Sequence, residues 1–207
     1  MTTSVATPVT KKRDWTSLAK IPLFIICLLP FAVLAFDAIQ NNLGPDPAKH
    51  VVDFCGTWAI RMLWVCLALT PLRIVSGRAF WIRYRRMLGL FAFFYATVHV
   101  FAYVFLLFGA QWAELLTEIT KRPYIIVGAI AFVLLIPLAV TSTRGWQRRL
   151  GRKWVKLHKL VYAAGILALL HFTWLKKLGI EATWPYALIL LVLFGLRIFS
   201  WYRRRHV

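Results

Sequence analysis

The sequence predicts an all-α integral membrane protein, a bundle of six transmembrane helices with both termini in the cytoplasm. Three observations carry this. Sixty per cent of the 207 residues are hydrophobic and only 16% are charged, against roughly 45–50% apolar and about 25% charged in an average soluble domain. The apolar residues gather in six runs, 21–38, 54–72, 87–108, 123–140, 157–175 and 182–199. The basic residues crowd into alternate connections between those runs.

Each run holds about 18–22 residues, enough to cross roughly 30 Å of hydrocarbon as a helix. Helix is the required form, because a lone strand would leave its backbone unpaired in lipid. A membrane β-barrel would need alternating segments of about 10 residues, and the chain has none. The first run follows Lys11, Lys12 and Arg13 but shows no Ala-x-Ala cleavage site, and its length matches the other five. It therefore reads as a span rather than a signal peptide.

Lys and Arg number 4 in residues 1–20, 1 in 39–53, 5 in 73–86, 2 in 109–122, 6 in 141–156, 2 in 176–181 and 4 in 197–207. One set of alternate connections thus carries 19 and the other 5. The positive-inside rule puts the richer set, with the 1–20 tail and the C-terminus, in the cytoplasm. Runs three and five then rise from inside to outside. Tryptophans 15, 81, 112, 146, 154, 174, 184 and 201 lie near run ends, where indoles favour the interface. The net charge of +19 is explained by these loops and by anionic lipid, so nucleic acid is not an expected partner. No internal repeat is visible, and no connection is long enough for a nucleotide-binding fold, so residues 1–207 read as a single domain.

All seven acids (Asp14, Asp37, Asp46, Asp53, Glu114, Glu118 and Glu181) fall in connections or at run ends. That weighs against a carboxylate proton relay or a cation transporter. Cys27, Cys55 and Cys66 form no C-x-x-C pair and no C-x-x-C-H haem attachment. Gly109, Gly128, Gly165 and Gly195 read as sites of close helix packing. His50 and His206 read as solvated.

His99, His158 and His171 lie within runs three and five, and an intramembrane histidine needs partners for its nitrogens. His99 stands 13 residues past Arg86 and His171 stands 15 past Lys156, about 20 and 22 Å along their helices. Two imidazoles at one level on neighbouring helices form an axial pair for a haem iron, among Leu, Phe, Ala and Tyr neighbours. His158 sits near the inner border, and an ideal helix places it about 140° away from His171. Fourteen residues before His99 stands Arg85, which is no ligand. His158 is therefore either half of an inner site completed by another group or a structural histidine. Arg61, seven residues into the second run, reads either as a partner for a haem propionate or as an arginine snorkelling to the outer surface.

The segment 86–99, Arg-Met-Leu-Gly-Leu-Phe-Ala-Phe-Phe-Tyr-Ala-Thr-Val-His, resembles the third helix of the MsrQ (YedZ) family. So do the Thr70-Pro71-Leu72-Arg73 turn and the stretch Leu157-His158-Lys159-Leu160-Val161-Tyr162 with His171 after it. These are haem-binding membrane subunits of the periplasmic methionine sulfoxide reductase system, within a ferric-reductase-like transmembrane group. The resemblance implies that His99, His158 and His171 are the essential histidines, that the cofactor is haem b, and that FMN accompanies it. It implies an electron-transfer subunit rather than a catalytic one. Electrons would come from the quinone pool or a cytoplasmic flavin reductase and pass to the molybdenum-containing subunit MsrP, which repairs oxidised envelope proteins. Two other readings compete. One is a free-standing ferric or cupric reductase, which needs no protein acceptor; the other is a haem-free scaffold or small transporter.

Overall fold

A computed structural model describes residues 18–175 and 180–206. Lys11, Lys12 and Arg13, and Lys176 and Lys177 of the charge count, lie outside the described residues, as does the side chain of His206. Every regular element described is helical: α1 (Lys20–Ile39), α2 (Pro47–Ser76), α3 (Ile82–Phe101), α4 (Trp112–Lys121), α5 (Pro123–Val140), α6 (Arg144–Leu150), α7 (Arg152–Leu157), α8 (Leu160–Leu175) and α9 (Ile180–His206). A 3₁₀ turn, Ala79–Trp81, leads into α3, and a π-helical segment, Ala102–Leu107, extends it. Six of these stretches are long and apolar enough to cross a membrane. Ile21, Phe24, Ile25, Ile26 and Leu29 of α1 are exposed, as are Val133 of α5 and Leu191 of α9, a surface suited to lipid.

The spans differ from the sequence expectation mainly at their ends. The second run, 54–72, grows into the 30 residues of α2, about 45 Å of helix. Its start is fixed by Asp46, whose carboxylate accepts the Lys49 N–H at 3.0 Å, with Pro47 in the first turn. Its end is fixed by Gly77, whose φ of 67° is left-handed. The Thr70–Arg73 segment expected as a turn is helix. Pro71 lacks the N–H that would close on the Leu67 carbonyl, and Arg197 of α9 replaces it, its Nη2 donating to Leu67 O at 2.7 Å. The connection expected over 109–122 contains α4, and that over 141–156 contains α6 and α7.

Two antiparallel hairpins form the centre, α2 with α3 and α5 with α8. In the first, Val52 meets His99 at one end, and Cys66 donates its thiol to the Arg85 carbonyl at the other. In the second, Tyr124 meets His171. The hairpins touch where Phe93 of α3 stacks on Phe132 of α5, ring centres 5.7 Å apart. On α9, Tyr186 receives the Trp64 indole N–H on its carbonyl at 2.9 Å. Together with Arg197 on Leu67, this sets α9 parallel to α2.

On the other side α1 lies along α3. Pro30 inside α1 disturbs its backbone ladder. The fully buried Tyr95 of α3 repairs the gap. Its hydroxyl accepts the Phe31 N–H at 3.2 Å and donates to the Cys27 carbonyl at 2.8 Å. The result is a bundle with one end rich in arginine and lysine, where α6 and α7 lie, and an opposite end where α4 lies.

Candidate functional site

The site grows from a motif used twice. In α2 the carbonyl oxygen of Val52 lies 2.8 Å from His99 Nδ1. In α5 the carbonyl oxygen of Tyr124 lies 2.7 Å from His171 Nδ1. A carbonyl can only accept, so each Nδ1 carries its proton and donates, and each Nε2 is left with its lone pair. Four residues on from each carbonyl stands a glycine. A Cβ at Gly56 would lie 2.9 Å from His99 Nδ1, and one at Gly128 would lie 2.7 Å from His171 Nδ1. The glycines bare the carbonyls and let each imidazole lie flat on the neighbouring helix. Both histidines follow their carbonyl by the same 47 positions, and both follow their glycine by the same 43. The two hairpins are thus structural repeats, although no repeat is visible in the sequence.

The hairpins bring His99 and His171 together near the end opposite the basic loops. Their ring centres are 6.2 Å apart, with 75° between the planes. Both rings are half-buried. His99 and His171 would hold one iron between them, each through the Nε2 lone pair that its Nδ1–H bond leaves free. The ring centres stand at a spacing that would admit a metal ion between them. Among the described residues no three of His, Cys, Asp and Glu gather as a metal cage. Two imidazoles are too few for a protein-only zinc site, but they are the number a porphyrin iron accepts. A carbonyl behind each ligating histidine is the usual means of holding tautomer and orientation.

Around the pair, the Tyr124 ring centre lies 6.0 Å from that of His171. The Tyr124 hydroxyl accepts from Arg122 at 3.1 Å, and Arg122 pairs with Glu118 of α4 at 2.5 Å. This ties α4 to the start of α5, beside the Tyr124 carbonyl.

The structure sets the other two expected site residues apart from the pair. His158 caps α7 at the break before α8. It stacks on Trp154 with ring centres 3.9 Å apart, its Nδ1 3.2 Å from the Trp154 carbonyl. Thirteen residues separate it from His171, about 20 Å of helix. Arg61 lies five residues toward the basic end from Gly56, about 7.5 Å. Its Nε donates to the Tyr186 hydroxyl at 3.3 Å, and its guanidinium lies 5.1 Å from the Trp58 ring centre. It faces α9.

Sequence reasoning missed Val52, Tyr124, Gly56 and Gly128. A backbone carbonyl leaves no residue signature. The equal glycine-to-histidine spacing was the one available signal.

Comparison with known proteins is consistent with this geometry. The family model described as "Ferric reductase like transmembrane component" matches residues 55–169. The chain is 49% identical over 188 residues to a protein of Xanthomonas axonopodis pv. citri (strain 306), covering 88% of this chain and 86% of the relative. It is 46% identical over 196 residues to one of Xanthomonas campestris pv. campestris (strain 8004), covering 92% and 90%. It is 42% identical over 191 residues to one of Polaromonas naphthalenivorans (strain CJ2), covering 90% and 87%. Each of the three is named protein-methionine-sulfoxide reductase heme-binding subunit MsrQ. With the family model spanning more than half the chain and these relatives nearly all of it, the chain belongs to the MsrQ family of ferric-reductase-like transmembrane components.

Proposed function

We propose that this chain is the membrane electron-transfer subunit of a methionine sulfoxide reductase, holding haem b between His99 and His171. The observation that carries the reading is the facing imidazole pair, each Nδ1–H spent on a backbone carbonyl. Relatives at 42–49% identity named as haem-binding subunits support it. Haem bound there supplies a one-electron carrier that needs no proton at the metal.

The chain's own residues do the rest. Val52 and Tyr124 hold the ligand tautomers, and their hydrogen bonds raise the basicity of the ligating nitrogens. Gly56 and Gly128 make room for the rings. Arg61 would reach a haem carboxylate only by leaving the Tyr186 hydroxyl that holds it toward α9. In this reading the basic end is cytoplasmic, with both termini, and the pair stands in the periplasmic half of the inner membrane. His158 and the arginines near it, Arg85 and Arg86 among them, form the entry side. There electrons arrive from the quinone pool or a cytoplasmic flavin reductase, and the phosphate of FMN would meet guanidinium groups. Electrons leave to MsrP, the periplasmic molybdenum-containing subunit.

A reduced-minus-oxidised visible spectrum of the purified chain tests the carrier. A low-spin b-type signal is expected, lost in both His99→Ala and His171→Ala. Normal spectra at normal expression in both variants would overturn the assignment. Copurification with a methionine sulfoxide reductase separates this reading from a free-standing ferric or cupric reductase, which would show the same spectrum without that partner.

A further inference from the structure

Arg61 stands seven residues inside the apolar run of α2, about 10 Å along the helix, and it is exposed. A charge at that depth is costly unless it is paired or reaches the membrane surface. Its guanidinium is only partly satisfied. Nε donates to the Tyr186 hydroxyl, and the group lies over the ring of Trp58, three residues nearer the helix start. The two Nη groups have no hydrogen-bond partner among the described residues. Side chains tilt toward the N-terminus of a helix, here the end opposite the basic loops. On an ideal helix Arg61 is turned about 140° from Gly56, the glycine that seats His99.

A cavity of about 300 Å³ runs along this face of α2, lined by His50, Asp53, Phe54, Thr57, Trp58 and Arg61. The spacing of three and four residues makes them one stripe. Asp53 forms no ion pair with a described residue. It stands eight residues from Arg61, about 12 Å nearer the surface, and the arginine side chain leaning over Trp58 closes much of that gap. On the other side of Arg61 the stripe continues as Val65 and Leu72, both exposed.

The groove therefore offers a cation, an anion beyond it toward water, aromatic walls and an apolar track toward the membrane centre. A soluble phosphate makes no use of the track. An anionic lipid with a glycerol head leaves Asp53 without a cation. A quaternary ammonium stacks on aromatic faces but has no N–H for a carboxylate. A phospholipid with a primary ammonium meets every part. Its phosphate takes the two Nη groups, its ammonium donates to Asp53, and an acyl chain follows Val65 and Leu72. Its zero net charge matches that of the Arg61 and Asp53 pair.

We propose that this groove binds one phosphatidylethanolamine of the leaflet opposite the basic loops, with Arg61 on its phosphate and Asp53 on its ammonium. The test is native mass spectrometry of the full-length protein in detergent, titrated with phosphatidylethanolamine, phosphatidylglycerol and phosphatidylcholine of identical acyl chains. The wild type is expected to retain one phosphatidylethanolamine at least fivefold more tightly than either of the others. Arg61→Gln should weaken that binding at least tenfold. Asp53→Asn should abolish the preference for phosphatidylethanolamine over phosphatidylglycerol. Equal affinity of the wild type for the three lipids, or wild-type behaviour in either variant, overturns the site. Displacement of the lipid by soluble glycerophosphoethanolamine at matching affinity would assign the groove to a free phosphoester and overturn the lipid. If Arg61→Gln does not fold, Asp53→Asn, which keeps the size of the side chain, decides alone.

Discussion

Gly128→Ala puts one methyl group where the structure has none to spare. The new Cβ would stand 2.7 Å from His171 Nδ1, 2.8 Å from Cε1 and 3.0 Å from Cγ. Ordinary contact begins near 3.4 Å, so the ring must retreat by about 0.7 Å. The ring cannot do this freely, because Nδ1 is held to the Tyr124 carbonyl at 2.7 Å. Either that bond breaks, at about 0.5–1.5 kcal/mol, or α5 and α8 part, with the roughly 1–3 kcal/mol of an overpacked core. Helix propensity returns at most about 1 kcal/mol. Loss of an outer-shell partner typically lowers metal affinity about 10–100-fold. Gly56→Ala, at 2.9 Å from His99 Nδ1, follows closely. Gly165→Ala meets Leu67 Cδ1 at 3.4 Å and Trp64 Cζ3 at 3.9 Å, both ordinary contacts, and Gly195→Ala meets nothing within 4 Å. Haem per protein, read from the Soret band under limiting haem, is therefore expected to fall in the order Gly195→Ala, Gly165→Ala, Gly56→Ala, Gly128→Ala, with the first at wild-type level. Equal loading in all four would refute the argument that these two glycines exist to seat the rings.

Three further outcomes are expected. Tyr95→Phe strands the Phe31 N–H and the Cys27 carbonyl at the Pro30 break, and should cost about 1–3 kcal/mol in detergent unfolding, whereas unchanged stability would show that the ladder closes by itself. His158→Ala should slow haem reduction by the physiological donor while leaving the low-spin spectrum intact; a wild-type reduction rate would remove His158 from the entry side. A C-terminal alkaline phosphatase fusion should be inactive and a fluorescent fusion bright, and the reverse would invert the orientation drawn from the 19-to-5 charge count.

The helices were legible because apolar run length is a direct consequence of bilayer thickness. Their ends were less so. Thr70-Pro71 reads as a turn, since proline costs a helix one hydrogen bond. It stays helical because Arg197, 130 positions away, supplies the missing donor, and no local pattern records that. The meeting of His99 and His171 followed from depth alone, as rise per residue is fixed. What holds them did not follow. The holding atoms are main-chain oxygens of a valine and a tyrosine, residues with nothing in common. Gly128 read as generic packing, and Gly56 drew no attention. Helix α4 was hidden because a ten-residue amphipathic helix falls below the length of any span.

The doubled motif also bears on how such a chain is monitored in a cell. Each hairpin is complete in itself, with contact along its length, whereas α3 meets α5 over a far shorter stretch. The seam between the hairpins has Phe93 against Phe132, Leu67 and Trp64 against Gly165, and the two imidazoles. On the proposed reading, a haem gripped by one imidazole from each hairpin would act as a clasp across that seam, stabilising the closed form by mass action. A chain made during iron starvation would keep its hairpins but lose the clasp. Its seam would open more often, exposing helix faces to membrane proteases. Abundance of the protein would then follow haem supply with no transcriptional control, the repeat serving as its own loading sensor.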